Sequence, residues 1–305
     1  MNTWLPYEIY AGTVRRCSSP AFVDASRAAD VLRVIGVLSR SQPEWCRAQL
    51  LDFASRVTVF GAFGTDDGSS IQLKSEDMLG LATAAVSYAA ETGDNGIFSE
   101  RVAFRDGPEI TFAEHCARAI GRCLDSGKGD YGVLERTVRL WLLITGHADH
   151  AASWTDMLES RRLSEKNDLP EQRTMPRRVS YFQSLSPTLS EKQAAQRVGE
   201  CCDSDGTPRG DAASGVCVYS VLVDHTLGIT AGHECLILAP HLPDSWCQCS
   251  VVRRFRKDTY NIEIRRSNAP SRTGMSMVVD GEPVLGDTIP YFGDGRVHRV
   301  EVVVN

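Results

Sequence analysis

The spacing of apolar residues switches from a helical to a strand period near Gly232, and no other feature of the chain constrains its fold as much. Before that point apolar side chains recur every three to four residues. Cys46, Leu50, Leu51, Phe53 and Ala54 share one helical face. Ser41-Gln-Pro-Glu44 reads as the capping box that opens this helix, with Pro43 tolerated in the first turn. Met78, Leu79, Leu81, Ala82, Ala85, Val86 and Ala89 form the next apolar face. Ser75 is placed to cap it, and Glu76 and Asp77 lie where the helix dipole favours acid. Gly93 suits a left-handed stop. Thr111-Phe-Ala-Glu114 is a second capping box, and its helix ends near Gly127. Cys116 and Cys123, seven apart, fall on one face of it as small core hydrophobes. Further helices are expected at 134–146, 189–201 and 215–227.

From 234 onward the period is two. Tyr260, Ile262 and Ile264 alternate onto one face, as do Val300, Val302 and Val304. Asp280-Gly281 marks a hairpin. The alternation sends Arg253-Arg254-Phe255-Arg256 to both faces, so this basic run reads as solvated. Residues 160–188, with Pro170, Pro176 and Pro187, read as a loop, and Asp203 to Asp211 as a second weak segment. The fold class is therefore mainly α with a β-rich C-terminal unit. A helical domain is expected over 1–230 and a small antiparallel β domain over 234–305.

A length of 305 residues suits about two domains. Hydrophobic residues at 42% and charged residues at 24% exclude a disordered chain. A net charge of -6 argues against wholesale nucleic-acid binding. The first residues carry no basic segment followed by an apolar one, and the apolar run Leu140 to Ile144 is far short of the ~20 residues of a membrane helix. The ten cysteines include no CxxC pair, so they are expected to be reduced thiols of a cytoplasmic protein. No metal is expected. Cys247-x-Cys249 lacks a second pair, and His147-x-x-His150 puts two imidazoles at ligand spacing without a third ligand in register. Trp4, Trp45, Trp141, Trp154 and Trp246 are read as core residues, with a sugar-stacking platform as the alternative.

Several stretches carry a family resemblance. They include Tyr219-Ser-Val-Leu-Val-Asp-His-Thr-Leu-Gly-Ile229, Leu238-Ala-Pro-His-Leu-Pro-Asp-Ser-Trp246, Val252-Arg-Arg-Phe-Arg256 and Thr259-Tyr-Asn-Ile-Glu263, followed by the Val-Asp-Gly hairpin and Ile289-Pro290. In order and spacing, over roughly ninety residues, they resemble the end of glycoside hydrolase family 94. That family holds the cellobiose and chitobiose phosphorylases and the phosphorylase-like domain of cyclic β-1,2-glucan synthases. Trp4-Leu-Pro-Tyr-Glu-Ile-Tyr-Ala11, Ser75-Glu-Asp77, Ala85-Val86 and Glu91-Thr-Gly-Asp94 resemble the family's earlier segments. The resemblance implies an (α/α) toroid followed by a β-rich cap. It also implies inverting phosphorolysis, in which a carboxylic acid protonates the leaving oxygen while inorganic phosphate attacks the anomeric carbon. Phosphate is then a co-substrate and no cofactor is required. The implied partner is a carbohydrate, with no nucleic acid and no membrane span; a homodimer is one option.

The departures from the family pattern are as informative. Where the family carries its acid in a GDWNDG-type motif, this chain has Asp130-Tyr131-Gly132-Val133. Asp130 is the candidate general acid, the alternative being an ordinary loop Asp. Ser214 alone survives of a phosphate-binding TGS element, with Ala212 and Ala213 before it; a plain helix cap is the alternative. Arg27 is the remnant of a sugar-binding element, or else a solvated helix start. The family's histidine motif is replaced by Phe60 to Asp67. A full twelve-helix toroid needs ~200 residues even with short linkers, so the toroid here is expected to be incomplete, in a truncated and degenerate relative. Two functions follow: a reduced glycoside phosphorylase, or a catalytically inactive sugar-binding or scaffold remnant of one.

Overall fold

The computed structural model describes residues 25–64, 68, 70–127, 130–167, 216, 218–267 and 275–304. Helices fill the first part: α1 (Ala25–Leu38), α2 (Pro43–Arg56), α3 (Ser75–Thr92), α4 (Phe112–Ser126), α5 (Tyr131–Thr145) and α6 (Ala151–Asn167). They form two layers. α1, α3 and α5 pack side by side, and α2, α4 and α6 back them. α3 sits at the middle and is buried nearly all round, from Met78 to Ala90. A helix that is apolar on every side must be covered on every side. Its alanines let neighbouring helices come close.

The helix ends follow local chemistry. Thr111 accepts from the Glu114 backbone amide while Glu114 reaches back to the Thr111 amide, the expected capping box. Gly93 and Gly127 close α3 and α4 at φ 77° and 62°, as expected of left-handed stops. The Ser41 box does not form. α2 starts at Pro43 with Gln42 as its uncapped boundary, and the Ser41 hydroxyl turns back to Leu38 O at 3.5 Å. Pro43 has no N–H to satisfy, so a cap gains less there. Ser75 lies inside α3, whose boundary residue is Lys74. α6 continues to Asn167, past the start of the expected loop at 160; 168–188, the expected helix 189–201 and Asp203–Asp211 lie outside the described residues.

The helical part also carries two short hairpins that the apolar period did not indicate. β1 (Ala62–Gly64) pairs with β2 (Ser70–Gln72), and β3 (Arg101–Ala103) pairs with β4 (Glu109–Thr111). Three-residue strands are too short to show an alternation.

The C-terminal part is β-rich. β5 (Ile229–Ala231), β6 (Cys235–Leu238) and β11 (Thr288–Pro290) form a three-stranded antiparallel sheet. β7 (Gln248–Phe255), β8 (Asp258–Arg266), β9 (Met275–Val279), β10 (Glu282–Val284) and β12 (Val297–Val304) form a five-stranded sheet in the order β10-β9-β12-β8-β7. One pair corrects the all-antiparallel expectation. β12 runs parallel to β8, Val300 beside Ile262 and Val302 beside Ile264. Side-chain alternation fixes which face a residue takes and carries no information on strand direction. Phe255, Tyr260, Ile262 and Ile264 are all buried in the core of this unit, as expected. Asp280 and Gly281, at φ 50° and 90°, make the hairpin turn between β9 and β10. The core residues form two clusters, one running through the helices and one through the sheets; Ala90 of α3 belongs to the second.

Candidate functional site

Asp130 precedes α5. Its Oδ1 accepts the Val133 backbone N–H at 3.1 Å, so the carboxylate caps the helix. Val133, where the family has its second acid, is buried in the helical core. Tyr131 is half-buried against the same core. Arg27 lies in the first turn of α1, and its side chain, like Ser214, falls outside the described residues.

The most charged interior feature is elsewhere, at the junction of the helices with the β unit. Glu91, on the last turn of α3, accepts two hydrogen bonds from Arg253 Nη2 of β7, at 2.6 and 2.7 Å. Arg253 is buried, which corrects its reading as a solvated residue. Arg40, just after α1, approaches Glu91 at 3.5 Å and donates to Asp224 at 3.0 Å and to the Tyr219 hydroxyl at 3.0 Å. Burial opposes the charge on Glu91, but the two guanidiniums prevail and hold its carboxyl below the usual range. The segment Val221–Thr226 is a π-helical turn. Residues five apart on an α-helix point about 140° apart. The wider turn lets Tyr219 and Asp224 reach one arginine.

This cluster borders a narrow cavity of about 40 Å³, lined by Gly36, Arg40, Thr83, Ser87, Glu91 and Arg136 among others; Asp130 is not part of it. Room for a water needs ~10–15 Å³, so the space suits a few waters and is too small for a sugar ring.

A second space is large enough. An open groove of about 430 Å³ lies between Phe60, Gln72, Arg122, Asp125 and Ser126. The Phe60 ring is 80% exposed. Gly61 behind it requires glycine twice over: φ is 81°, and an added Cβ would lie 1.8 Å from Arg122 Nη1. Arg122 holds the turn by donating to Val59 O at 2.7 Å. Asp125 and Ser126 end α4, four or five residues before Asp130, so the chain permits at most about 18 Å between them. The sequence signal for this groove was the aromatic-glycine pair in the segment replacing the histidine motif.

The other candidates resolve simply. His147 follows α5 and His150 ends a short 3-10 turn, so they do not share a helix face. Both rings pack on Trp141, at 5.1 and 5.9 Å, and His150 stacks on Trp154. Trp141 and Trp154 are core residues, Trp45 is half-buried and Trp246 is 40% exposed. Asp258, Asp294 and His298 bring their polar atoms within 4.8 Å of one another. The Asp258 oxygens accept Gly293 and Gly295 amides, and both His298 nitrogens face carboxylates. This group is an internal hydrogen-bond network.

No family model matches the chain. Individual proteins do. The chain is 34% identical to solabiose phosphorylase of Paenibacillus borealis over 85 residues, 28% of this chain and 11% of that protein. It is 34% identical to the cyclic β-(1,2)-glucan synthase of Rhizobium meliloti over 124 residues, 38% of this chain and 4% of that protein. Cellobionic acid phosphorylase of Neurospora crassa is 37% identical over 90 residues, 28% of this chain and 11% of that protein. The matches thus span about a tenth or less of these relatives. Among solved structures, a family GH92 α-mannosidase from Bacteroides thetaiotaomicron aligns over 90% of this chain and 42% of its own, at 11% identity and a TM-score of 0.34, a likeness too slight to carry an argument. Over the shared stretch the chain is a homologue of the glycoside phosphorylases of glycoside hydrolase family 94.

Proposed function

We propose that this chain is a phosphorylase-like protein of carbohydrate metabolism, acting in the cytoplasm on a β-linked glucoside with inorganic phosphate as co-substrate. The homology to several glycoside phosphorylases is the observation that supports it most. The two-layer helical array is read as an arc of an (α/α) toroid. The sugar is assigned to the groove beside Phe60, whose exposed ring offers a stacking face and whose rim offers amide, guanidinium, carboxylate and hydroxyl groups. Asp130 is assigned as the acid, Ser214 as a phosphate ligand and Arg27 as a sugar ligand. Free thiols at Cys46, Cys116, Cys123, Cys235, Cys247 and Cys249 fit a reducing compartment.

One observation favours the second reading, a non-catalytic sugar-binding remnant. Asp130 spends an oxygen on the α5 cap, and Val133 offers no acid. Lack of general-acid help costs ~10²–10⁴ in rate. Phosphate release from glucose 1-phosphate with a panel of glucose-type acceptors separates the two. Acceptor-dependent release supports the phosphorylase. Sugar binding in calorimetry without release supports the remnant, and neither signal overturns both.

A further inference from the structure

His298, near the start of β12, has a side chain only 6% exposed. Its Nδ1 lies 2.7 Å from Asp280 Oδ2 in the β9–β10 turn, and its Nε2 lies 3.2 Å from Asp294 Oδ1 in the loop before β12. A neutral imidazole has one N–H, so only the imidazolium can donate to both carboxylates. In the neutral form one nitrogen would turn its lone pair on a carboxylate oxygen.

The other groups around it reinforce this. From β8, Asp258 brings a third carboxylate near, and the Tyr260 ring lies at 5.3 Å. Phe292 stacks on the imidazole at 4.3 Å. Arg296 approaches Asp294 at 3.7 Å, while the Arg299 guanidinium pairs away with Glu301 at 3.0 Å. Acidic groups thus outnumber basic ones around the ring. Burial opposes the charged ring, but Asp280 and Asp294 raise its pKa above the ordinary value.

We propose that His298 is a pH-dependent clamp: doubly protonated, it ties the 291–296 loop to the β9–β10 hairpin, and on losing a proton it gives up Asp294 and loosens that loop. Asp294 is the partner released because its contact is the longer of the two. Asp280 is also anchored by accepting the Arg299 amide at 2.7 Å. The loop connects β11 of the three-stranded sheet to β12 of the five-stranded sheet, so the clamp acts where the two sheets are joined. A raised folded-state pKa gives stability that is full below the unfolded value of about 6.5 and is lost as pH rises through the folded value.

The test is a histidine-resolved NMR titration of the full chain, with amide exchange followed over the same pH range. We expect His298 to titrate above about 6.5. Protection of the 291–296 amides, corrected for intrinsic exchange, should fall about tenfold through that midpoint, the lower range for a charge-assisted hydrogen bond. Asp294→Asn should lower the midpoint, and His298→Gln should remove the pH dependence of protection. A midpoint at or below the ordinary value, or loop protection unchanged across it, overturns the clamp. The wild-type titration decides even if a variant fails to fold.

Discussion

Arg253 grips Glu91 with one guanidinium nitrogen shared between both carboxylate oxygens, 162 residues apart in sequence and both almost fully buried. The pair joins β7, an edge strand of the five-stranded sheet, to the end of the central helix. Beside it Arg256 donates to Ala90 O at 3.0 Å and to His233 O, over the α3 stop at Gly93. A cation at that helix end also meets the negative end of the dipole. The Glu91-Thr-Gly-Asp94 stretch is thus a structural joint. Glu91 binds the β unit, Gly93 turns the chain, and Asp94 accepts from Tyr88 at 2.9 Å and Arg47 at 3.0 Å.

Removing one partner of this joint leaves a buried charge without its main counter-charge, Glu91 keeping only Arg40 at 3.5 Å. Arg253→Ala or Glu91→Ala should each cost ~3–5 kcal/mol in urea unfolding. The double change Glu91→Leu with Arg253→Met should cost far less than the sum, since paired charges replaced by apolar groups are often tolerated. Additive losses would mean that the two residues do not act as a pair.

Asp130 has a structural and a chemical role that substitutions can part. Asn caps a helix about as well as Asp, so Asp130→Asn should leave the melting temperature nearly unchanged, whereas Asp130→Ala should cost ~0.5–2 kcal/mol. If wild-type phosphorolysis is measured and Asp130→Asn keeps it in full, the carboxyl is not the proton donor.

Ile262 sits between Val251 of β7 and Val300 of β12. Ile262→Ala should destabilise by ~2–5 kcal/mol, read from chemical denaturation. An unshifted midpoint would place the side chain outside the core.

Thiol reactivity should divide by burial. Cys46 is pushed up to about 12 by burial, and burial raises Cys116 as well. Cys247 is exposed. Iodoacetamide at about pH 8 should label Cys247 in the folded protein and leave Cys46, Cys116 and Cys123 unlabelled, as mass spectrometry would show. Early labelling of Cys116 would contradict the packing of α4.

What the sequence made legible was local. Gly93, Gly127, the Thr111–Glu114 box and the Asp280-Gly281 turn each encode their conformation in a few adjacent residues. The alternation of Tyr260, Ile262 and Ile264 fixed their face. What escaped was non-local. Alternation sends the Arg253–Arg256 run to both faces and reads it as solvated; the partner that buries Arg253 is Glu91, far away in sequence. The groove at Phe60 was legible only as its Phe-Gly turn, since Arg122 and Asp125 come to it from α4.

The position of β12 has a consequence for assembly. It lies between β8 and β9, so among the described residues the β7–β8 and β9–β10 hairpins have no strand pairing with each other without it. During synthesis both hairpins emerge with a bare inner edge, and the sheet can close only once residues 297–304 have left the ribosome. The β unit is therefore a late folder, and its two unpaired edges are exposed to other nascent chains until the last strand slots between them.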